Sequence, residues 1–193
     1  MSSHIDSIIC NLFEDSSNCI LQSKVLSSEI EKAIKSIIKA YSNNNKLIIF
    51  GNGGSAADSQ HFAAELIGRF LLERKSLPAI ALSTDTSIIT ALGNDYGFEQ
   101  IFSRQCDALV EKGDVVIGIS TSGKSKNILE AIRVSKTKSA ITIGITGGDG
   151  GQLKDSVDIP LTVPSNSIPR IQEGHRIIIH IICELVEQYF SKI

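Results

Sequence analysis

The chain has 193 residues, of which 42% are hydrophobic and 21% are charged, and its formal net charge is −2. This composition is typical of one globular domain with a sizeable core, and it lacks the basic excess that proteins use to neutralise a nucleic-acid backbone. No apolar run approaches the length of a membrane span, and no signal peptide is visible. We therefore expect a cytoplasmic protein with reduced cysteines and with neither a nucleic-acid nor a membrane partner.

Two amphipathic helices are predicted at the start of the chain, within residues 4 to 43. Apolar side chains recur there at helical spacing, and a run of serine and asparagine at 42–45 ends the second helix. The two apolar faces consist of Ile5, Ile8, Ile9, Leu12 and Phe13, and of Ile30, Ile34, Ile37, Ile38 and Tyr41.

Short apolar strands then alternate with helices along the chain. The predicted strands are 47–50, 79–82, 115–119, 141–145 and 159–163. The predicted helices are 55–70, 86–94, 99–111, 125–137 and 170–192. This alternation indicates βαβ units in an α/β fold, with a parallel sheet whose Val/Ile-rich strands are buried on both faces.

A glycine-rich loop, Gly51-Asn52-Gly53-Gly54-Ser55, directly follows the first predicted strand and precedes a helix. Glycines allow close backbone approach, and amide groups at a helix N-terminus favour anions. Because parallel sheets bind ligands beyond the carboxyl ends of their strands, this loop is a candidate anion site. A tight turn with Ser55 as the helix N-cap remains an open alternative.

A hydroxyl-rich loop, Ser120-Thr121-Ser122-Gly123-Lys124-Ser125, follows the third predicted strand in the same way. Four hydroxyl groups between a strand and a helix start can converge with backbone amides on one phosphate. A simple N-cap needs only one such residue. The loop therefore predicts a phosphate site beside the first loop.

Two helical segments carry residues suited to proton transfer or to metal binding. His61 and Glu65 share one helix face at a spacing of four residues, a pattern that suits either task. Gln172 and His180 lie two turns apart on the last helix, about 80° apart around its axis. His180 stands in an apolar run, so a satisfied core histidine remains an alternative.

These segments together resemble the sugar isomerase (SIS) fold and, within it, the sedoheptulose 7-phosphate isomerases, also called phosphoheptose isomerases. The resemblance runs end to end and rests on GNGGSAADSQHFAAELIGRF, LPAIALSTD, ALGNDYGFEQIFSRQ, GDVVIGISTSGKSKNIL, ITGGDGG and RIQEGHRIIIH. It implies one SIS domain over residues 1–193, a flavodoxin-like three-layer sandwich with a five-stranded parallel sheet. Residues 1–45 would be a helical extension used in oligomerisation.

The family's functional positions carry over residue by residue. Those that contact the sugar phosphate match Asn52, Gly53, Gly54, Ser55, Glu65, Asn94, Asp95 and Gln172. Those of the phosphate loop match Ser120, Thr121, Ser122 and Ser125. Glu65 matches the general base and His180 the general acid. The zinc site, with one ion per subunit, matches His61, Glu65, Gln172 and His180. Some members carry an acidic residue where this chain has Pro169, so the resemblance carries over no role for that carboxylate.

The resemblance implies conversion of sedoheptulose 7-phosphate to D-glycero-D-manno-heptose 7-phosphate through an enediol, the first step towards bacterial heptose for lipopolysaccharide or capsule. It also implies a homotetramer with active sites at subunit contacts. Glu65 would move a proton from C1 to C2, and His180 would move protons between the two oxygens. A zinc-bound glutamate is less basic, so the ligand and base roles of Glu65 compete.

Two alternatives remain open. One is a non-catalytic SIS regulator, since a sister group binds the bacterial replication initiator protein. That group lacks the glutamate and the last-helix histidine of the isomerase, whereas this chain has Glu65 and His180. The other alternative is an isomerase or lyase that acts on a different sugar phosphate.

Overall fold

The computed structural model describes residues 2–192, and its centre is a five-stranded parallel sheet in the order β2-β1-β3-β4-β5. The strands are β1 Leu47–Gly51, β2 Ala79–Ala81, β3 Val115–Ile119, β4 Ile141–Gly147 and β5 Ile159–Val163. All five predicted strands are present, and the predicted parallel pairing is confirmed. Every residue of β1 and β3 is buried, as expected of strands covered on both faces.

Within the described residues, eight α-helices surround the sheet. They are α1 Ser2–Gln22, α2 Ser27–Ser42, α3 Gly54–Ile67, α4 Thr86–Tyr96, α5 Ser103–Leu109, α6 Lys126–Thr137, α7 Gly151–Ser156 and α8 Ile168–Phe190. Two buried clusters lie on opposite faces of the sheet. One is formed with α2, α3 and α8, and the other with α5, α6 and α7. This arrangement confirms the three-layer α/β sandwich.

The sequence prediction is wrong at two helices on the second face. The predicted helix 99–111 is a 3₁₀ turn at Phe98–Gln100 followed by the shorter α5. Between them the chain buries Phe102, whose ring stacks on Phe50 with centroids 5.2 Å apart. Helix α7 was not predicted, because a six-residue helix that begins at a glycine has little intrinsic propensity.

The N-terminal helices differ in how they use their apolar faces. Helix α2 buries Ile30, Ile34 and Ile37 in the first cluster. The predicted apolar face of α1 is exposed in the single chain, where Phe13 retains 70% of its accessible surface. Within residues 2–192, no helix is both long enough and apolar enough to cross a membrane.

Candidate active site

The two predicted anion loops lie side by side at the carboxyl edge of the sheet. The first follows β1 and the second follows β3, and these strands are hydrogen-bonded neighbours whose last residues, Gly51 and Ile119, are paired. The prediction that both loops share this edge is therefore confirmed. Ligands of parallel α/β sheets bind at such an edge.

The Gly51–Ser55 loop turns tightly into α3. Gly53 has a φ of 55°, a left-handed value that favours glycine, and it occupies the N-cap position. The alternative that Ser55 is the N-cap is therefore wrong, because the helix begins at Gly54. Ser55 is buried instead, and its backbone N–H donates to the carbonyl of Asn52 at 3.0 Å.

The Ser120–Ser125 loop gathers its hydroxyl groups. The Ser120 and Ser125 Oγ atoms are 3.3 Å apart, and Ser120 Oγ accepts the Gly123 N–H at 3.1 Å. Ser122 is exposed, and its Oγ accepts the Lys124 N–H at 3.3 Å. Polar groups therefore line the end of β3 where an anion would meet the first turn of α6.

The segment from the end of β4 to α7 supports this hydroxyl-rich loop from behind. The Gly147 N–H donates to the carbonyl of the half-exposed Thr121 at 3.1 Å, and the Leu153 N–H donates to that of Gly123 at 3.0 Å. A β-carbon at Gly123 would lie 1.9 Å from the Gly150 carbonyl oxygen, so only glycine fits there. The unpredicted α7 thus helps to fix the shape of the predicted phosphate loop.

Helices α3 and α8 run parallel and form a seam of polar contacts. At its start, Gln172 lies against Gly54, where a β-carbon would be 2.7 Å from Gln172 Nε2. One turn further along each helix, Arg176 donates to Asp58 at 2.5 Å. The contacts that follow join His61 to His180 and complete the seam.

His61, Glu65 and His180 form one cluster on this seam. His61 Nε2 lies 3.0 Å from His180 Nε2 and 3.4 Å from Glu65 Oε1. The side chains of His61 and Glu65 are 32% and 22% exposed, so solvent or a ligand reaches them. The alternative that His180 is a satisfied core residue is wrong, since it is only half-buried and its Nε2 contacts His61.

Burial, followed by the neighbouring His61 and Arg176, lowers the pKa of His180 below its ordinary value, against the opposing effects of Glu65 and Asp58. A histidine with a lowered pKa is neutral at pH 7. Its ring then carries one donor N–H and one acceptor nitrogen, so it can both give and take a proton.

The spacing of the cluster suits part of a zinc site. Two ligands on one tetrahedral zinc stand about 3.3 Å apart, close to the two distances from His61. Gln172 lies eight residues before His180, about 12 Å along the helix axis, so one chain does not bring them together. Among residues 2–192, no group of three or more His, Cys, Asp or Glu side chains is arranged to hold a metal ion.

Asn94 and Asp95 lie apart from these groups. Both are exposed on α4, a helix that buries none of its residues, and the Asn94 side chain donates to Asp95 at 2.8 Å. Their predicted contact with the sugar phosphate stays a prediction.

A buried ion pair, Glu187 with Arg74, fastens the end of α3 to α8. The Glu187 carboxylate accepts the backbone N–H groups of Phe70, Leu71 and Leu72 at 2.5–2.7 Å. Arg74 Nε lies 3.5 Å from this carboxylate, and both side chains are 1% exposed. The Arg74 guanidinium also donates to the carbonyls of the last turn of α3, including that of Glu65 at 2.8 Å.

The Glu187–Arg74 pair and its hydrogen bonds form a clamp that positions the chain around the cluster of His61, Glu65 and His180. The Phe70 ring packs against the His180 ring, with centroids 5.5 Å apart. The segment that follows α3 is therefore held over His180 by Glu187, which lies about two turns further along α8. Glu65 and His180 stand on separate helices, and the clamp fixes the ends of both.

The sequence did not point to four residues with contacts in this region. They are Asp58 and Arg176, which pair with each other, Asn127, which is hydrogen-bonded to Asn52, and Glu187. Of these, only Glu187 is signalled by the sequence, because it lies four residues after Cys183 and so places a charge on the apolar face of α8. Charged residues are almost never fully buried without a partner, so a carboxylate on such a face indicates a buried contact. The other three depend on contacts between segments far apart in the chain.

Comparison with known proteins gives relatives over most of the chain. The family described as "SIS domain" matches residues 13–147. The phosphoheptose isomerase of Citrifermentans bemidjiense is 60% identical over 163 residues, which cover 84% of this chain and 85% of that protein. The phosphoheptose isomerase of Aliarcobacter butzleri is 51% identical over 168 residues, which cover 87% of this chain and 89% of that protein.

Solved structures agree with these relatives. The phosphoheptose isomerase of Neisseria gonorrhoeae superposes with a TM-score of 0.89 at 40% identity, covering 95% of this chain and 99% of that chain. That of Francisella tularensis gives 0.91 at 40% identity, covering 94% and 97%. This chain, with two loops at the edge of its parallel sheet, therefore belongs to the SIS-domain proteins and, among them, to the phosphoheptose isomerase family.

Proposed function

We propose that this enzyme interconverts sedoheptulose 7-phosphate and D-glycero-D-manno-heptose 7-phosphate, an aldose–ketose isomerisation. The observation that carries the proposal is the meeting of Glu65 and His180 around His61 on the seam between α3 and α8, which begins at the sheet edge where the two anion loops lie. A base, a neutral imidazole and a phosphate site are the groups that such a reaction needs. The names of the relatives support the same substrate class.

The cluster can perform the proton transfers of this isomerisation in two steps, with the enediol between them. Glu65 takes a proton from C1 of the ketose while His180 gives its ring proton to the oxygen on C2, which forms the enediol. Glu65 then returns the proton to C2, and His180 takes the proton from the oxygen on C1 as the aldehyde forms. His180 is suited to both directions because its lowered pKa keeps it neutral.

The Ser120–Ser125 loop is the proposed phosphate site. We expect Thr121→Ala and Ser122→Ala each to weaken binding of sedoheptulose 7-phosphate by about 1–3 kcal/mol, the contribution of a hydrogen bond to a charged group. Isothermal titration calorimetry measures the affinity. Thr137→Ala, which removes an exposed hydroxyl at the far end of α6, is the matched control. Unchanged affinity in both loop variants would mean that the phosphate binds elsewhere.

A coupled assay of the purified protein tests the function. Sedoheptulose 7-phosphate is compared with ketose phosphates of five and six carbons, because the alternative of a different sugar phosphate predicts a different preference. The proposal expects the seven-carbon substrate to give the highest kcat/KM. A higher value with a shorter ketose would assign the enzyme to that substrate.

The other alternative, a non-catalytic regulator of the replication initiator, gains no support from the relatives described above, which carry isomerase names.

Zinc is the proposed cofactor, one ion per subunit, and its expected ligands are His61, Glu65, Gln172 and His180. Because no three His, Cys, Asp or Glu side chains within residues 2–192 of one chain are arranged to hold a metal, the set would be completed at a subunit contact. When bound there, zinc would polarise a substrate oxygen. Gln172, the fourth ligand expected from the resemblance, lies about 12 Å along α8 from His180, so it would have to come from another subunit.

We expect zinc removal by a chelator to lower activity and added zinc to restore it, with the metal lost at acid pH as the histidines protonate. Elemental analysis of the purified protein measures the content. His4→Gln, a histidine outside the cluster, should leave zinc content unchanged, whereas His61→Gln should lower it. Full activity of the metal-free enzyme, with no binding of added zinc, would make the cluster a proton-transfer site alone.

A homotetramer in the cytoplasm, with active sites at subunit contacts, is the proposed state. Two surfaces support subunit association. One is the exposed apolar face of α1, and the other is a groove of about 600 Å³ lined by Ile34, Ile38, Ile181 and Leu185 between α2 and α8. Exposed apolar surface of this kind marks interaction sites. The product would supply heptose for lipopolysaccharide or capsule.

A further inference from the structure

A reciprocal pair of amide hydrogen bonds joins the two loops of the site. Asn52 Nδ2 donates to Asn127 Oδ1 at 3.0 Å, and Asn127 Nδ2 donates to Asn52 Oδ1 at 2.9 Å. Asn52 belongs to the glycine-rich loop after β1. Asn127 is the second residue of α6, immediately behind the hydroxyl-rich loop, and it is only 3% exposed.

The pairing determines what Asn52 can offer to a ligand. An amide side chain has two N–H donors and one carbonyl acceptor. The two amides form a hydrogen-bonded ring that uses one donor and the carbonyl of each partner. Asn52 is therefore left with one uncommitted N–H, which suits an acceptor oxygen. Because the ring has two bonds, it also fixes the plane of the Asn52 amide, which a single bond would leave free to turn.

The pairing also fixes the distance between the loops. Asn52 and Asn127 are 75 residues apart in the chain and reach each other across the carboxyl ends of β1 and β3. An anion held by both loops needs them at a constant separation, and the rigidity of a site adds to affinity by reducing the cost of ordering it. Asn127 is buried, so its effect on a ligand passes through Asn52.

We propose that Asn127 is a positioning residue of the sugar-phosphate site, which holds the Asn52 amide so that its remaining N–H donates to an oxygen of the ligand. The proposal rests on the isomerase function proposed above. Asn52 stands in the binding loop, away from the Glu65 and His180 cluster, so its contact contributes equally to the bound substrate and to the transition state. Loss of such a uniform contact raises KM and leaves kcat nearly unchanged.

A double-mutant cycle tests the proposal by steady-state kinetics with sedoheptulose 7-phosphate. We expect Asn52→Ala and Asn127→Ala each to raise KM about tenfold, with kcat within about twofold of the wild type. Because Asn127 acts through Asn52, the double variant should have a KM no higher than that of Asn52→Ala. Asn127→Ser, a smaller polar substitution, provides the same comparison should Asn127→Ala fold poorly.

Ser135→Ala is the matched control, because Ser135 is a fully buried polar residue two turns further along α6 whose Oγ donates to the Ala131 carbonyl. We expect it to lower the melting temperature without raising KM. Two results with an active wild type would overturn the positioning role alone. One is a double variant in which the KM increases of the single variants multiply to about a hundredfold, and the other is an Asn127→Ala variant with unchanged KM. A wild type that neither binds nor isomerises the substrate would overturn the proposed function as well.

Discussion

Glu65→Gln is expected to lower the turnover of sedoheptulose 7-phosphate by at least ~100-fold, the lower end of what general acid–base catalysis contributes. The amide keeps the size of the side chain and its place on α3 but cannot take a proton from C1. Glu65 is 22% exposed and stands 3.4 Å from His61, so it is accessible to a substrate and oriented by a neighbour. The loss should appear in kcat, because proton transfer belongs to the transition state.

Steady-state kinetics of the variant and a circular dichroism melt separate catalysis from folding. Glu130→Gln is the matched control, because Glu130 pairs with Arg133 on α6, on the opposite face of the sheet, and loses the same charge. We expect its turnover to equal that of the wild type. A folded Glu65→Gln enzyme with near-normal kcat would remove Glu65 from the role of base.

Glu187→Gln is expected to lower the free energy of unfolding by about 3 kcal/mol, since removal of one partner of a buried ion pair leaves the other uncompensated. The substitution places an NH₂ group against the N–H groups of residues 70–72 and leaves Arg74 without its counter-ion at 1% exposure. For a chain of this size, the melting temperature should fall by roughly 6–12 °C. Glu184→Gln, a half-buried carboxylate one turn earlier on α8, should cost about 0.5 kcal/mol or less.

The same carboxylate makes stability depend on pH. Burial alone would raise the pKa of Glu187. The N–H groups of Leu71, Phe70 and Leu72, together with Arg74, lower it by more than burial raises it, so the pKa lies below the ordinary 4.5. The stabilisation is therefore complete above about pH 4.5 and is lost as pH falls through the lowered pKa. Urea unfolding at several pH values should show the wild type and Glu187→Gln converging below that pH. A constant difference down to strongly acid pH would contradict this account.

The strands were predictable because a parallel sheet buries its strands on both faces, and runs such as Val115 to Ile119 are apolar without interruption. The helix at 99–111 was not, because the burial of Phe102 against Phe50 overrides the helical pattern at that point. Helix α7 is held by the contact of Leu153 with the Gly123 carbonyl rather than by its own sequence. Local pattern therefore predicts an element only where tertiary contacts agree with it.

The site was predictable where spacing along one element decides the geometry. His61 and Glu65 meet because a helix brings residues four apart together, and each loop lies at the sheet edge because it follows a strand. The contact of His61 with His180 depends instead on the parallel packing of α3 and α8, which no single segment encodes. The Asn52–Asn127 pair and the Glu187 clamp were missed for the same reason, since each joins segments at least 75 residues apart.

We propose that Glu65 and His180 isomerise a seven-carbon sugar phosphate by proton transfer through an enediol. Proton NMR of sedoheptulose 7-phosphate incubated with the enzyme in D₂O tests it directly. We expect new signals from the aldose and, over prolonged equilibration, deuterium at its C2, because a proton held by Glu65 exchanges with solvent during some turnovers. Absence of the aldose, or an aldose that retains only protium at C2 after prolonged equilibration, would contradict it.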